Sequence, residues 1–389
     1  MLNFPFLLIE FLDELVFGVN QAAWPLIRTD LGLSYIQIGL LLSVPGIVSA
    51  VIEPFLGILG DVWKRRLLIL GGGIFFALAC LLTGLSTGFV ILLFALCVFY
   101  PASGAFVSLS QATLMDSSPV RQEHNMARWT FAGSLGVVLG PLLLFGMAFI
   151  GLGWRAVFIT LAGLTVLVLL FVWRRVPEAL QGLRSLPRFS DVWSGVRGAL
   201  SALRRAEVLR WLVLLQFSDL MLDVLLGFLA LYFVDVAGLS AGKAALGVVV
   251  WSGLGLLGDF LLIPLLEKVR GLDYLRLSVL LELLLFPVFL LVHDLIIKFI
   301  ILGLLGLFNS GWYAILKGRL YSSMPGQSGT VMTLDNVFGW LGKLLPFGIG
   351  LVAQFFGLQL AMWLLLLGPI ALLIGLPIKS STISPSCAY

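Results

Sequence analysis

Three carboxylates crowd the first apolar stretch of the chain, LLIEFLDELVFG: Glu10, Asp13 and Glu14. Spacings of three and four residues repeat the helical turn, so all three fall on one face of a helix. A later stretch repeats the phrase, with Glu10-Phe11-Leu12-Asp13 answered by Gln216-Phe217-Ser218-Asp219 and Asp223 a further turn along. The same offset aligns Gly32-Leu33-Ser34 with Gly238-Leu239-Ser240. An ionisable side chain inside an apolar helix is costly unless it faces a cavity, a partner or a translocation path. The chemistry open to such groups is loading and releasing protons, or holding a cation. Glu10, Asp13, Glu14, Asp219 and Asp223 are therefore the candidates for proton coupling, while Glu53, Asp259 and Glu282 are further acids in apolar runs.

Basic groups in such runs are fewer. Arg128 and Lys343 are the candidate charge partners, and Asp335 lies on roughly the same side of its helix as Lys343. The excess of acids favours a cation, a cationic amphiphile or a metal over a simple anion as ligand. Amide and aromatic groups supply candidate substrate contacts: Asn20, Gln21, Gln111, Gln216, Asn309, Trp312, Tyr313, Asn336 and Trp340. Of these, Asn309, Trp312 and Tyr313 are close enough in sequence to form one recognition group. Trp24 and Trp251 suit either a cavity wall or an anchor at the membrane interface.

Other chemistries find little support. No strand, glycine loop and helix pattern cradles a phosphate. Ser110 and Ser218 have no matching His/Asp arrangement, and His124 and His293 stand alone. No enzyme activity, cofactor or histidine metal site is expected, although oxygen ligation of a hard cation by the carboxylates stays open.

The elements that must position these groups are membrane helices. Of 389 residues, 60% are hydrophobic and only 11% charged, and the mean hydropathy is +1.10. Such a chain cannot cover a soluble surface, and an all-α integral membrane protein is expected. Apolar runs of spanning length occur near 6–27, 36–60, 67–86, 89–114, 127–149 and 154–173, and again near 209–234, 243–266, 274–292, 295–316, 329–354 and 358–378. This makes twelve transmembrane helices in two sets of six. The expected units are an N-terminal bundle over 1–173, a basic linker over 174–208, a C-terminal bundle over 209–379 and a tail over 380–389. The first run lacks a basic start and a small-residue cleavage pattern, so it reads as a retained span.

Basic residues set the orientation. Lys64-Arg65-Arg66, Arg174-Arg175, Arg204-Arg205, Lys268, Arg270, Lys317 and Arg319 fall on one side, while the other receives Arg28, Arg155, Lys243 and Lys298. The bias places both termini in the cytoplasm of a cell whose inner membrane holds the protein, and accounts for the basic runs without nucleic acid. Within the linker, Trp193, Val196, Leu200 and Leu203 share a face, as in a helix lying on the inner leaflet. Glycines inside the runs, including Gly133, Gly136, Gly140 and Gly146 in the fifth and Gly339, Gly342, Gly348 and Gly350 in the eleventh, permit close helix approach.

The loop after the second run, Gly57-Ile58-Leu59-Gly60-Asp61-Val62-Trp63-Lys64-Arg65-Arg66, resembles the signature loop of the major facilitator superfamily: a glycine, three residues, an aspartate and a closing basic pair. Val62 and Lys64 replace the usual basic residue and glycine. The resemblance extends to the six-plus-six arrangement and the central linker. It implies a pseudo-twofold pair of bundles working by alternating access, with Asp61 in a cytoplasmic latch that favours the outward-open state, and Gly57, Arg65 and Arg66 beside it in the gate. In the fifth run, Gly136-Val137-Val138-Leu139-Gly140-Pro141 resembles the antiporter signature of drug exporters in that superfamily, although Leu142 to Leu144 replace its following glycines. Gly140 and Pro141 are thereby gating candidates, and a bend at Pro141 is expected. Gly342 to Gly348 repeats the feature around Pro346. Where these exporters often carry an arginine, four residues before a glycine in the fourth run, this chain has Tyr100. Any proton coupling must then run through another site.

The expected function is a monomer-capable secondary transporter that exports a cationic or amphipathic small molecule by proton antiport. Its partners would be that small molecule, protons and membrane lipids, with no nucleic acid and no obligate protein partner. Proton-coupled uptake of a small solute, metal-cation transport, and a passive lipid scramblase or receptor on the same scaffold are the alternatives.

Overall fold

A computed structural model of the chain describes residues 4–62, 65–117, 122–175, 203–323, 334, 338–340 and 342–377. Among these residues every regular element is helical. The first half comprises α1 (Phe4–Leu31), α2 (Tyr35–Val62), α3 (Arg65–Leu85), α4, α5 (Gln122–Phe149) and α6 (Trp154–Arg175). α4 consists of Phe89–Ser103, a π-helical turn at Gly104–Ser108, and Leu109–Ser117. In the second half, α7 consists of Ala206–Ser218, a π-helical turn at Leu220–Val224, and Leu225–Asp235; α8 (Ala241–Leu266) and α9 (Gly271–Leu291) follow. α10 is broken into Leu295–Asn309 and Trp312–Ser322. The longest described part of α11 is Leu345–Phe356, and α12 is Leu358–Trp363, a 3-10 turn at Leu364–Leu366, and Leu367–Gly375.

Eleven helical stretches among the described residues are long and apolar enough to cross a membrane. α1 has 28 residues and differs from them in carrying Glu10, Asp13 and Glu14. The chain is thus a multi-pass membrane protein of twelve spans in two sets of six. The amphipathic linker helix expected around Trp193 and the tail fall outside the described residues.

The repeated Gly-Leu-Ser phrase marks equivalent turns in the two halves. Gly32 (φ 63°) and Gly238 (φ 72°) both adopt the left-handed backbone that ends a helix and that glycine adopts without strain. Ser34 then caps α2 reciprocally with Gln37: Gln37 N donates to Ser34 Oγ at 3.2 Å and Ser34 N donates to Gln37 Oε1 at 2.9 Å.

Glycine seams bring the acidic helix into place. A Cβ on Gly136 of α5 would lie 2.4 Å from Phe11 O and 2.7 Å from Leu15 N; one on Gly140 would lie 2.5 Å from Leu15 O. Gly18 returns the contact on Val137 and Pro141. α1 therefore packs backbone to backbone on α5, the close approach that small residues permit inside membranes. Gly136→Ala should destabilise the protein by about 1–3 kcal/mol, because the clash is with backbone rather than a movable side chain. Thermal unfolding in nanodiscs measures it, with Gly146→Ala, where a Cβ meets nothing within 4 Å, as the tolerated control.

α5 remains α-helical through Pro141, whose ring lies against Gly18. A break occurs in α11, where the segment starting at Leu345 has Pro346 in its first turn. Against expectation, Gly146, Gly339 and Gly348 make no close approach among the described residues. Lys298, expected on the outer side, is buried in the first turn of α10: its ammonium donates to Tyr232 Oη at 2.8 Å and to Phe289 O at 2.7 Å, and lies over both aromatic rings. It ties α7, α9 and α10 together, satisfying a carbonyl near the C-terminus of α9.

Candidate functional site

The interior position of α1 and α7 makes their acids a candidate site. Asp13 Oδ1 accepts a 2.8 Å hydrogen bond from Ser103 Oγ, immediately before the π-helical turn of α4. Glu10 is 8% exposed; it lies against Gly133 and takes a hydrogen bond from the Trp129 indole. Glu14 packs beside Gly133 and Gly136 and is within electrostatic range of both Asp13 and Asp223. Tyr100 is in turn within range of Asp13 and Asp223. On α7, Asp219 caps the π-helical turn and Asp223 lies inside it. Asp219 O receives both Asp223 N and Val224 N at 3.0 Å. Each half thus places a π-helical turn beside its acids, an irregularity that often accompanies functional sites.

A cavity of about 640 Å3 lies between the halves. Asp219, Asp223 and Gln216 of α7 line it with Gln21 of α1, Tyr100 of α4 and Lys343 of α11. Gly342 lets α11 ride onto this face: a Cβ there would overlap the Gln216 amide oxygen and lie 3.5 Å from Asp219 Oδ2. Lys343 crosses to the first half, donating to Gly46 O at 3.0 Å. The arrangement gathers carboxylates, two amides and one ammonium in a space that fits a small molecule.

A second cavity, of about 820 Å3, lies among α5, α7, α8 and α10 and shares Leu222 and Tyr313 with the first. Its polar wall is the break in α10. Gly311 (φ 77°) interrupts the helix, and Asp259 Oδ1 of α8 accepts from Gly311 N at 3.1 Å. Tyr274 Oη of α9 reaches Ser310 O at 3.2 Å and Phe308 O at 3.4 Å.

At the Gly32 end of the molecule the halves are latched. Arg28 of α1 pairs with Asp235 of α7 at 2.5 Å, and Tyr35 Oη of α2 donates to the same carboxylate oxygen at 2.6 Å. The Arg28 guanidinium lies 4.2 Å over the Tyr35 ring. Tyr35 N also donates to Gln354 Oε1 of α11 at 3.0 Å. Just below, Gly39 and Gly350 bring α2 and α11 into backbone contact.

The family model of the Major Facilitator Superfamily matches residues 6–347. The chain belongs to that superfamily. Among solved structures, this facilitator is similar to a bacterial homolog of the human lysosomal transporter Spinster in an inward-facing, unoccupied conformation (TM-score 0.76, 17% identity, covering 96% of this chain and 95% of that one). It is also similar to the nucleoside transporter NupG (TM-score 0.76, 12% identity, covering 96% and 98%). At these identities the likeness is one of fold, and it carries the twelve-helix arrangement.

The structure brings Asp223, Asp219, Gln216, Gln21, Lys343 and Tyr313 of the facilitator around one cavity, with Glu14 within electrostatic range of Asp223 and Asp13 held on Ser103. Asn309 faces the second cavity instead. Trp312 is a correction: it is fully buried, and its indole donates to Ser278 Oγ at 2.8 Å, because the break at Gly311 turns it away from Asn309. Trp24 is fully buried rather than at a membrane interface, whereas Trp251 lines the second cavity. Asn20 is buried, its Oδ1 without a partner among the described residues, and it lines neither cavity. Gln111 is half-buried in α4, and Trp340 and Arg128 are exposed. Arg66 donates to Trp173 O at 2.7 Å, joining α3 to α6. The α2 backbone continues past Gly57 and Asp61 to Val62, but the Asp61 side chain, Asp335 and Asn336 lie outside the described residues.

Of the remaining acids, Glu53 packs on Gly104 and accepts from Ser49 Oγ at 2.5 Å. Asp259 lines the second cavity, and Glu282 is wholly buried in α9. Sequence reasoning passed over Ser103 and Tyr100 as site residues. The available signal was a hydroxyl and a phenol three residues apart in the fourth run, on one helical face.

Proposed function

We propose that this facilitator is a proton-coupled secondary transporter that exports a cationic or amphipathic small molecule by antiport across the inner membrane. The observation that carries the reading is that Asp219 and Asp223 of α7 line the cavity between the halves while Glu14 of the paired helix α1 lies within electrostatic range of Asp223. Carboxylates facing one another across the plane on which two bundles rock can exchange a proton for a cationic group as the geometry changes. The basic residues Arg65, Arg66, Arg174, Arg270 and Arg319 stand at the end opposite Gly32, which supports a cytoplasmic Arg65 end and cytoplasmic termini. With Arg28, Tyr35 and Asp235 latched, access is from the cytoplasmic side. Gly57, Asp61, Arg65 and Arg66 remain the proposed moving parts on that side, Gly140 and Pro141 those of the seam between α1 and α5, and Gln21, Gln216 and Tyr313 the cargo contacts.

The test uses sealed, inverted vesicles with an acidic interior. Ethidium should accumulate, a protonophore should abolish the accumulation, and Asp219→Asn should lower its initial rate severalfold while leaving protein abundance unchanged. Accumulation indifferent to the pH gradient, or no accumulation above protein-free vesicles, would overturn proton-driven export.

A further inference from the structure

We propose that the break in α10 forms the wall of a second ligand compartment, which takes a neutral amphipathic molecule built of a hydroxylated ring joined to a flat apolar group. The break is satisfied from outside its own helix: Asp259 takes the freed Gly311 N, Tyr274 takes the freed carbonyls of Phe308 and Ser310, and Ser310 Oγ turns back to Leu307 O at 2.7 Å. Gly258 of α8 packs directly on Ser310 and Leu307, and Gly306 on Trp251 O. Broken helices inside membranes are tolerated where they line a cavity, and there they commonly build binding sites.

The groups left without partners identify the ligand. Asn309 is 2% exposed and lines the cavity, yet among the described residues neither Oδ1 nor Nδ2 has a hydrogen-bond partner. Ser252 Oγ, lining the same cavity, is likewise unpartnered. Buried polar atoms are rarely left so. An amide offering a donor and an acceptor side by side calls for a ligand that does the same, as vicinal hydroxyls or the edge of a base do. Among the described lining residues the charges are Asp259 and Lys317, which cancel, so the compartment suits a neutral head. Trp251 and Tyr313 provide flat walls beside it. Aryl glycosides and nucleosides share this chemistry.

The inference rests on the transporter reading but not on proton antiport, and it selects the amphipathic over the cationic cargo. The full chain in nanodiscs is titrated with phenyl β-D-glucopyranoside and, separately, with uridine, while thermal unfolding is followed. A saturable rise in unfolding temperature is expected with at least one probe, since a ligand that binds only the folded state stabilises it. The responding probe tells glycoside from nucleoside. Asn309→Leu should weaken that probe by roughly tenfold or more and Ser252→Ala by a smaller factor, the loss expected when a ligand's polar group is left unpaired. Thr160→Val, on the lipid side of α6, should change nothing. If Asn309→Leu does not fold, Asn309→Asp and Ser252→Ala carry the test. No saturable shift with either probe, or equal shifts in wild type and both variants, overturns the proposal. Binding is measured without a gradient, so failed ethidium transport and failed probe binding are separable results.

Discussion

Asp13→Asn should uncouple transport while sparing the protein. In proteoliposomes, flux driven by a pH gradient is expected to fall by roughly 5- to 150-fold, the range spanned by a coupling free energy of about 1–3 kcal/mol. Exchange of labelled for unlabelled substrate across the same vesicles should change far less, because exchange needs the bundles to rock but no net proton movement. The substitution keeps the volume of the side chain, and asparagine can still accept the hydrogen bond from Ser103, so a folding defect is not the expected cause. Unchanged driven flux in Asp13→Asn would remove Asp13 from the coupling site. Equal loss of driven flux and exchange would instead assign it to the packing of α1 against α4.

The second large effect is expected at the latch. Asp235 holds Arg28 and Tyr35 through one carboxylate oxygen, so Asp235→Ala removes both contacts at once. The pair is partly exposed, at 28% and 25%, and an exposed ion pair alone is worth little. Adding the phenol hydrogen bond and the stacked guanidinium, we expect the balance to shift by about 1–2 kcal/mol toward opening at this end, a factor of roughly 5 to 30 in population. Paired spin labels on the Gly32 and Gly238 turns, read by pulsed dipolar spectroscopy, should report a larger long-distance fraction. Tyr35→Phe should give a smaller shift in the same direction. Distances unchanged in both variants would mean that the backbone contact of Gly39 with Gly350 closes this end unaided.

Much of this was legible in the residue string, for reasons that can be named. Membrane helices declare themselves because each span must satisfy its own backbone, and the repeated acidic phrase marked α1 and α7 as the equivalent first helices of the two halves. The glycines of α5 likewise announced a close approach. What could not be read was the register between helices that are distant in sequence. Nothing in Tyr100 or Ser103 says which acid they meet, and nothing in Lys343 says that it reaches Gly46 on α2. Trp312 was misassigned for a different reason. Periodicity assumes an unbroken helix, and Gly311 resets the phase between Asn309 and Trp312, sending one to a cavity and the other to Ser278.

The bond from Tyr35 N to Gln354 has a consequence for the ease of opening. Tyr35 is the first residue of α2, so its N–H is one of the donors at a helix start that no carbonyl of the same helix can take. The two halves are therefore fastened by a group the helix can surrender without losing a rung of its own ladder. Water can replace Gln354 as soon as the bundles part, and α2 stays intact as it swings. The clasp can open and close on every cycle with no helix unwinding at either of its sides.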